Sequence, residues 1–367
     1  MSVQDRPVLF VTNYAPPARV GAFAALAERE DVVFALFGGR VHHGAAEQDQ
    51  PLPFPHVRVT QREAGALARS GGYRAVVCGT TGRTALPAAY RGARRAGVPF
   101  VLWATLWAQP KGPAGMVGYP VLRYLYARAD AVATYGRHVS DYVTRRGARN
   151  VHTAPQAVDN AFWRGPAQPR REAPFQALFA GRLRREKGVR VLLDAWSRTG
   201  FESPDAALVL AGRGPERSRA QRLGAVLPGE LDAVGVRNFQ AGSDVVVMPS
   251  IRTLTFREPW GLVANEAMNR GRAIIATDAV GAVAGGLVRH GRNALVVHAG
   301  DPGALAGALR RLRDDPAERE RLGAAGREDV ADHDHAAWAD GISRALAAAG
   351  ASRGDAGARR ARAPQGA

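Results

Sequence analysis

Arg257-Glu258-Pro259-Trp260-Gly261-Leu262-Val263-Ala264-Asn265-Glu266-Ala267-Met268 sets two carboxylates eight residues apart, on either side of a proline and a glycine. Proline favours a first helical turn, where its missing N–H leaves no bond unmade. The run after Gly261 reads as helix, which places Glu266 inside it and Glu258 in the loop before it. The backbone N–H groups from Trp260 to Val263 would then point out of a helix start, ready to hold a phosphate. A carboxylate beside an anion site is useful when it accepts from hydroxyls instead of meeting the phosphate. A ligand that carries both phosphate and sugar hydroxyls, a nucleotide sugar, meets that description. The plainer reading, a capping Glu258 and a solvated Glu266, is equally open on this segment alone.

A second stretch, Leu178-Phe179-Ala180-Gly181-Arg182-Leu183-Arg184-Arg185-Glu186-Lys187-Gly188, ends an apolar run in glycine and follows it with spaced cations. Lys111 and Lys187 are the two lysines of a chain whose other basic residues are arginines. A lysine in that background suits a compact, mobile point charge, whereas Arg182 can fork onto an oxyanion. The cations follow a strand-like run and precede Val189–Trp196, the arrangement that brings side chains to the carboxyl edge of a parallel sheet. Solvated residues at a helix start are the alternative.

Gly181-Arg182-Leu183 with Glu186-Lys187-Gly188, then Met248-Pro249-Ser250, Glu258-Pro259-Trp260-Gly261-Leu262 and Glu266-Ala267-Met268, resemble the donor half of glycosyltransferase family 4. The Ala276-Thr277-Asp278, Gly291-Arg292-Asn293 and Gly300-Asp301-Pro302 runs are similar in style to that family. The resemblance is strong over roughly residues 175–315 and weak before them. It implies a retaining, metal-independent hexosyltransferase of GT-B fold: α/β, with two Rossmann-like doubly wound parallel-sheet domains facing a cleft. It also implies a nucleoside-diphosphate sugar as co-substrate, no cofactor, and an acceptor hydroxyl of unknown identity. Within it, Arg182 and Lys187 would face the diphosphate, helped by the N–H groups of Gly261 and Leu262. Glu266 would accept from the ribose hydroxyls and Glu258 would hold the donor sugar. Gly21, at the first strand–helix junction, would let backbone approach the ligand, although the family often carries two glycines there and this chain has Val20-Gly21. The family also often has a histidine after the fourth strand of its N-terminal domain. Here Leu102–Pro110 contains none, and Gln109 stands in the corresponding slot, with His138 an outside candidate.

The chain has 367 residues, 46% hydrophobic and 23% charged, in the range of globular proteins and long enough for two domains. Its single cysteine, Cys78, excludes an intrachain disulfide framework and sits in an apolar run, as a core thiol would. The N-terminus opens into a strand-like run without a basic-then-apolar leader, and no apolar stretch approaches ~20 residues. The expectation is a cytoplasmic protein. A net charge of +17 draws polyanions of several kinds. Nucleic acid is set aside because no reading motif accompanies the arginines. Tyr119–Ala127 with Arg137–Arg149 could form a basic, aromatic face, so peripheral contact with the inner face of an anionic membrane is a partner to test. A sugar-nucleotide epimerase of the same fold and a nonenzymatic basic binding protein are the alternative functions.

Strand-like runs at Pro7–Thr12, Val32–Phe37, Ala75–Gly79, Pro99–Thr105 and Ala131–Tyr135 precede a second set at Phe175–Ala180, Ala207–Ala211, Asp244–Met248, Ala273–Thr277 and Ala294–Val297. Helical patterns between them predict parallel sheets. The Pro-rich run from Gly165 to Pro174 reads as a linker. The expected division is an acceptor-side domain over 1–165, a nucleotide-sugar domain over 166–330, a helix over 331–349 crossing back, and a disordered basic tail over 350–367. Asp332-His333-Asp334-His335 looks metal-like, but it lies among C-terminal helices far from the donor motifs, so no metal site is assigned.

Overall fold

The computed structural model describes residues 3–38, 41–42, 45–46, 51–109 and 111–352. Two compact units divide the chain: one takes it up to Val158 and again from Asp334, the other takes Asp159–His333.

The first unit is built on seven parallel strands, β1 (Val8–Thr12), β2 (Val32–Leu36), β3 (His56–Arg58), β4 (Ala75–Gly79), β5 (Phe100–Ala104), β6 (Ala131–Thr134) and β7 (Val151–Thr153). They lie in the order β3-β2-β1-β4-β5-β6-β7. The unbroken apolar composition of β1, β4 and β5 follows from burial on both faces, since helices cover both sides of such a sheet. β1 pairs with β2 from Val8↔Val32 and with β4 from Val8↔Ala75, so the strand order reverses around it. Cys78 is fully buried in β4, and that apolar burial raises its thiol pKa.

Aromatic rings fill the core beneath β1. Phe23 stacks on Phe34 at 4.6 Å between centroids, and Phe10 lies 5.1 Å from Phe34. Trp338, fully buried, meets Phe23 and Trp103 at 5.6 Å each. Trp338 comes from the last helix, His335–Ala348, which belongs to this unit. That helix can lie close because it is rich in alanine and has a glycine at the contact: a Cβ on Gly341 would stand 2.4 Å from Ala154 Cα. Just past it, Ala351 is buried and its carbonyl accepts from Arg74 Nε at 3.3 Å. The expected tail from 353 onwards lies outside the described residues.

The second unit repeats the plan with β8 (Phe175–Ala180), β9 (Ala206–Ala211), β10 (Val226–Gly229), β11 (Val245–Met248), β12 (Ala273–Thr277) and β13 (Leu295–Val297), in the order β10-β9-β8-β11-β12-β13. Here the order reverses at β8, which pairs with both β9 and β11. Carboxyl-end crevices at such reversals are where doubly wound sheets hold ligands. Two Rossmann-like α/β units of this kind make a GT-B fold.

The boundaries differ from the expected ones for a visible reason. The Pro-rich run is packed onto the second unit: Arg170 N–H donates to the Asn238 carbonyl at 3.0 Å, and a Cβ on Gly242 would reach within 2.0 Å of Arg170 O. Arg164 Nε also reaches Asn269 Oδ1 at 2.9 Å. The change of unit therefore falls at Val158–Asp159, seven residues before the expected 165. The crossing-back helix expected from 331 also starts later, at His335. Pro316–Asp329 ends, and Asp334 caps a new helix by accepting from Ala337 N at 2.7 Å. Three edge strands, β3, β7 and β10, were not anticipated. Each has at most four residues and lacks a buried run.

Trp338→Ala should lower stability by about 3–5 kcal/mol, the usual cost of deleting a fully buried large aromatic side chain. Trp338→Phe should cost much less, because the indole N–H it removes is buried without a partner. Denaturant unfolding of the two variants measures the difference.

Candidate functional site

At the carboxyl end of β8 the chain turns at Gly181, with φ +149°, a conformation that favours glycine. The turn is held against the loop after β9. Gly181 N–H donates to Ala211 O at 2.9 Å and Leu183 N–H to Arg213 O at 2.8 Å. A Cβ on Gly212 would stand 2.0 Å from Gly181 O, and one on Gly214 2.3 Å from Leu183 O. The Gly212-Arg213-Gly214 run, a weak signal by itself, is thus what allows the two loops to touch. Arg182 lies partly buried on this turn.

A 3-10 turn over Arg185–Lys187 follows and ends at Gly188, with φ +72°. A Cβ there would fall 1.7 Å from the Pro249 carbonyl oxygen. The turn consequently sits directly on the loop after β11, where Ile251 N–H donates to Glu186 O at 3.1 Å. This contact delivers Lys187 to Glu258: its Nζ forms an ion pair with Glu258 Oε2. Ser250 Oγ donates to the same oxygen at 3.1 Å. Glu258 is buried, and Phe256 packs its ring 5.6 Å from the lysine ammonium.

The expected helix begins later than Pro259 suggests, at Val263, and runs to Asn269. Gly261 adopts φ +93°, which a right-handed helix does not accommodate. The preceding strand of chain is committed elsewhere: Trp260 O accepts from Ala282 N–H at 2.9 Å, and a Cβ on Gly281 would be 2.1 Å from Pro259 O. Gly261 lies beside Glu258, its ideal Cβ position 3.8 Å from Glu258 Cγ and 2.5 Å from Met248 Cε. Leu262 caps the helix with no side-chain bond. Trp260 is buried, donates from Nε1 to Asn265 Oδ1 at 2.7 Å, and stacks on His333 at 6.1 Å.

Glu266 lies in that helix and takes a weak bond from Gln240 Nε2 at 3.4 Å. The residue is partly exposed, yet the protein crowded round its carboxyl raises the pKa to about 7, outweighing the lowering effect of Gln240. Such a carboxyl is poised between a hydroxyl-accepting anion and a neutral acid near neutral pH.

The structure therefore brings Lys187, Glu258 and Gly261 together, with Arg182 on the same β8 turn and Leu262 and Glu266 along the helix that follows. Gly21 is placed differently. It lies one turn inside the Pro17–Arg29 helix of the first unit, and the close approach it permits there is to a side chain: a Cβ would meet His335 Nδ1 at 2.3 Å. In the same unit His138 is buried with Trp107 at 5.2 Å, and Gln109 is partly exposed after β5. Asp334 serves as a helix cap, and among the described residues no group of three or more metal-type side chains gathers.

Residues not singled out in the sequence complete the picture. Ser250 and Gln240 touch the two carboxylates from other elements. In the first unit, Arg19 Nη2 donates to Tyr135 Oη at 2.7 Å and Gln156 Oε1 at 2.8 Å, with its guanidinium 4.7 Å from the Trp103 ring. Met248-Pro249-Ser250 carried a local signal for Ser250. Gln240 and Arg19 had none, because their partners are distant in sequence.

The profile of glycosyl transferases group 1 matches residues 174–315. The alpha-maltose-1-phosphate synthase of Mycolicibacterium smegmatis is 31% identical over 274 residues, covering 63% of this chain and 68% of that protein. Glycogen synthase of Mycobacterium tuberculosis is 28% identical over 221 residues, covering 57% of this chain, which spans about half (52%) of that relative's length. The Anabaena protein HepE, crystallised with UDP, shares the fold with a TM-score of 0.74 at 19% identity, over 93% of this chain and 99% of that one.

Two measurements check the geometry. Gly188→Ala should sharply reduce folded yield, as both the positive φ and the Pro249 carbonyl oppose a side chain; Gly200→Ala, which meets nothing within 4 Å at φ +72°, should cost only its backbone strain. For Glu266 the folded pKa lies above the unfolded value of 4.5, so the folded state binds the extra proton. Its contribution to stability is present below pH 4.5 and is lost as pH rises through about 7. Glu266→Gln should therefore gain stability relative to the parent between pH 5 and 8 in denaturant titrations; a pH-independent difference would contradict the raised pKa.

Proposed function

Because this chain belongs to the group 1 glycosyltransferases, we propose that it transfers a sugar from a nucleoside-diphosphate sugar to an acceptor hydroxyl, as a retaining, metal-independent hexosyltransferase of family 4. The observation that carries this reading is the Lys187–Glu258 pair, seated by Gly188 on the Pro249–Ser250 loop beside Gly261. UDP is the first nucleotide to try, since HepE, with a similar fold, holds it.

Departure of the diphosphate builds negative charge on its oxygens, and fixed cations at that point lower the barrier. Lys187 has three N–H donors. One engages Glu258, which fixes the ammonium, and the others are directed to phosphate oxygens. Arg182 supplies the second cation, and the N–H groups of Gly261 and Leu262 add partial charge. Glu258, held by Lys187 and Ser250, grips the donor sugar. Glu266 accepts from the ribose hydroxyls in its ionised form. With retention of configuration the leaving phosphate can take the acceptor proton, so the reaction requires no protein base. Work at the cytoplasmic face, with an anionic membrane as second partner, completes the proposal. Among the described residues no helix is long and apolar enough to cross a membrane.

Arg182→Ala and Lys187→Ala should each lower donor affinity or turnover about ten- to a hundredfold, the usual worth of a charged hydrogen bond. Lys187→Ala should carry an additional stability loss, because it removes the cation that faces the buried Glu258 carboxylate. UDP and UDP-sugar thermal-shift titrations, followed by turnover with a panel of acceptors, test this. Near-normal donor binding in both variants defeats the assignment. Since ribose hydroxyls favour ionised Glu266, UDP affinity should also fall as pH drops below about 7, and that dependence should vanish in Glu266→Gln.

A further inference from the structure

Residues 64–129 contain no Asp or Glu and nine Arg or Lys. Arg74 is buried against Glu30, but most of the others are exposed on the first unit. The segment ends in the helix Pro113–Arg128, whose inner side is fixed by buried Leu125 and Tyr126 and by Tyr119, which accepts from Arg146 Nε at 2.5 Å. The aromatic face expected over Tyr119–Ala127 is therefore largely turned inward, and the outward face is a different one. Val117, Val121, Tyr124 and Arg128 follow one another at helical spacings of four, three and four, and so share one narrow strip. Val117 is 81% exposed, Val121 46% and Tyr124 53%.

Cations border this strip. Arg128 lies 5.8 Å from the Tyr124 ring; Tyr124 meets Tyr90 at 6.0 Å; and Arg94 stands 5.8 Å from Tyr90. The acid facing this group is Asp130, which pairs with exposed Arg94 at 3.2 Å and so offsets one charge weakly. Arg123, also exposed, lies on a different side of the same helix.

We propose that this face, the strip Val117–Val121–Tyr124 with Arg128 and Arg94 beside it, docks on an anionic lipid surface. An apolar strip flanked by cations, with an aromatic that has a polar tip, fits the headgroup boundary. Each alternative occupant meets an obstacle. A second copy of the chain would set cations against cations. Nucleic acid would engage the arginines but leave the two valines nothing to bury them. The inference refines the membrane contact named above as second partner and is separable from the donor site, which lies in the other unit.

Co-sedimentation of the full chain with vesicles of phosphatidylglycerol and phosphatidylcholine, and of phosphatidylcholine alone, tests it at about 0.1 M salt. The expected result is binding to the anionic vesicles and little to the neutral ones. Val117→Asp with Val121→Asp should reduce it at least tenfold, and Arg128→Gln about fivefold. The UDP-induced thermal shift of these variants should match the parent, which verifies folding and keeps a failure of the donor site distinct. No binding to anionic vesicles, unchanged binding by the valine variants, or binding of an RNA oligonucleotide that those variants leave intact would overturn the proposal. Dimerisation abolished by the same substitutions would overturn it as well.

Discussion

The contact between Gly188 and the Pro249 carbonyl is the constraint on which the second unit's site depends. With no room for a side chain, it locks the turn after β8 to the loop after β11, two strands that pair at the point where the sheet order reverses. The contact sets the distance at which Lys187 meets Glu258. An ion pair as enclosed as this one gains little net stability, because stripping water from both partners offsets their attraction. What it secures is orientation. A lysine on a flexible stem would otherwise sample many positions, and holding its ammonium against a fixed carboxylate removes that cost before any ligand arrives.

The same reasoning explains the glycines around it. Gly181, Gly212, Gly214, Gly261 and Gly281 each stand where a Cβ would be unwelcome or the backbone takes a positive φ. Together they bring the segments after β8, β9, β11 and β12 to van der Waals distance. The site is consequently written in backbone geometry as much as in its charged side chains. A side chain at Gly181, Gly212 or Gly214 would press on backbone or rings of neighbouring loops and not on Lys187 or Glu258 themselves.

Much of this was legible in the sequence, for reasons that can be traced. Strands such as Val8–Thr12 and Ala273–Thr277 are fully buried on both faces, so their apolar runs are continuous and hard to miss. Arg182, Lys187, Glu258 and Glu266 stood in dense motifs near glycine and proline. The failures share a different cause. Edge strands such as Val226–Gly229 carry a proline and half-exposed residues, so composition leaves no trace of them. The unit boundary was hidden because a Pro-rich stretch looks unbound until Asn238 and Gly242 are seen to hold it. Gly21 looked like a phosphate turn because a local reading cannot show that His335, more than three hundred residues away, occupies the space beside it.

The charge of the chain divides along similar lines. In the second unit several arginines are tied to acids, among them Arg190 to Glu216, Arg171 to Asp244, Arg292 to Asp329 and Arg311 to Glu318. Paired charges of that kind cancel within a few ångströms and project little field beyond the ~8–10 Å over which salt screens them. Residues 64–129 hold no acid of their own, and the cancellation shown there comes from outside, from Glu30 on Arg74 and Asp130 on Arg94, so the segment contributes a net positive field out of proportion to its length. The excess of +17 is thus a property of particular surfaces and is not spread evenly over the molecule. Arg19 marks the opposite extreme. Its hydrogen-bond partners are the neutral Tyr135 and Gln156, and its guanidinium rests against the Trp103 ring, so its charge is held in place by groups that cannot neutralise it. A cation kept in this way near the carboxyl ends of β1 and β5 acts on whatever approaches that edge of the first sheet, and it favours an approaching group that is negative.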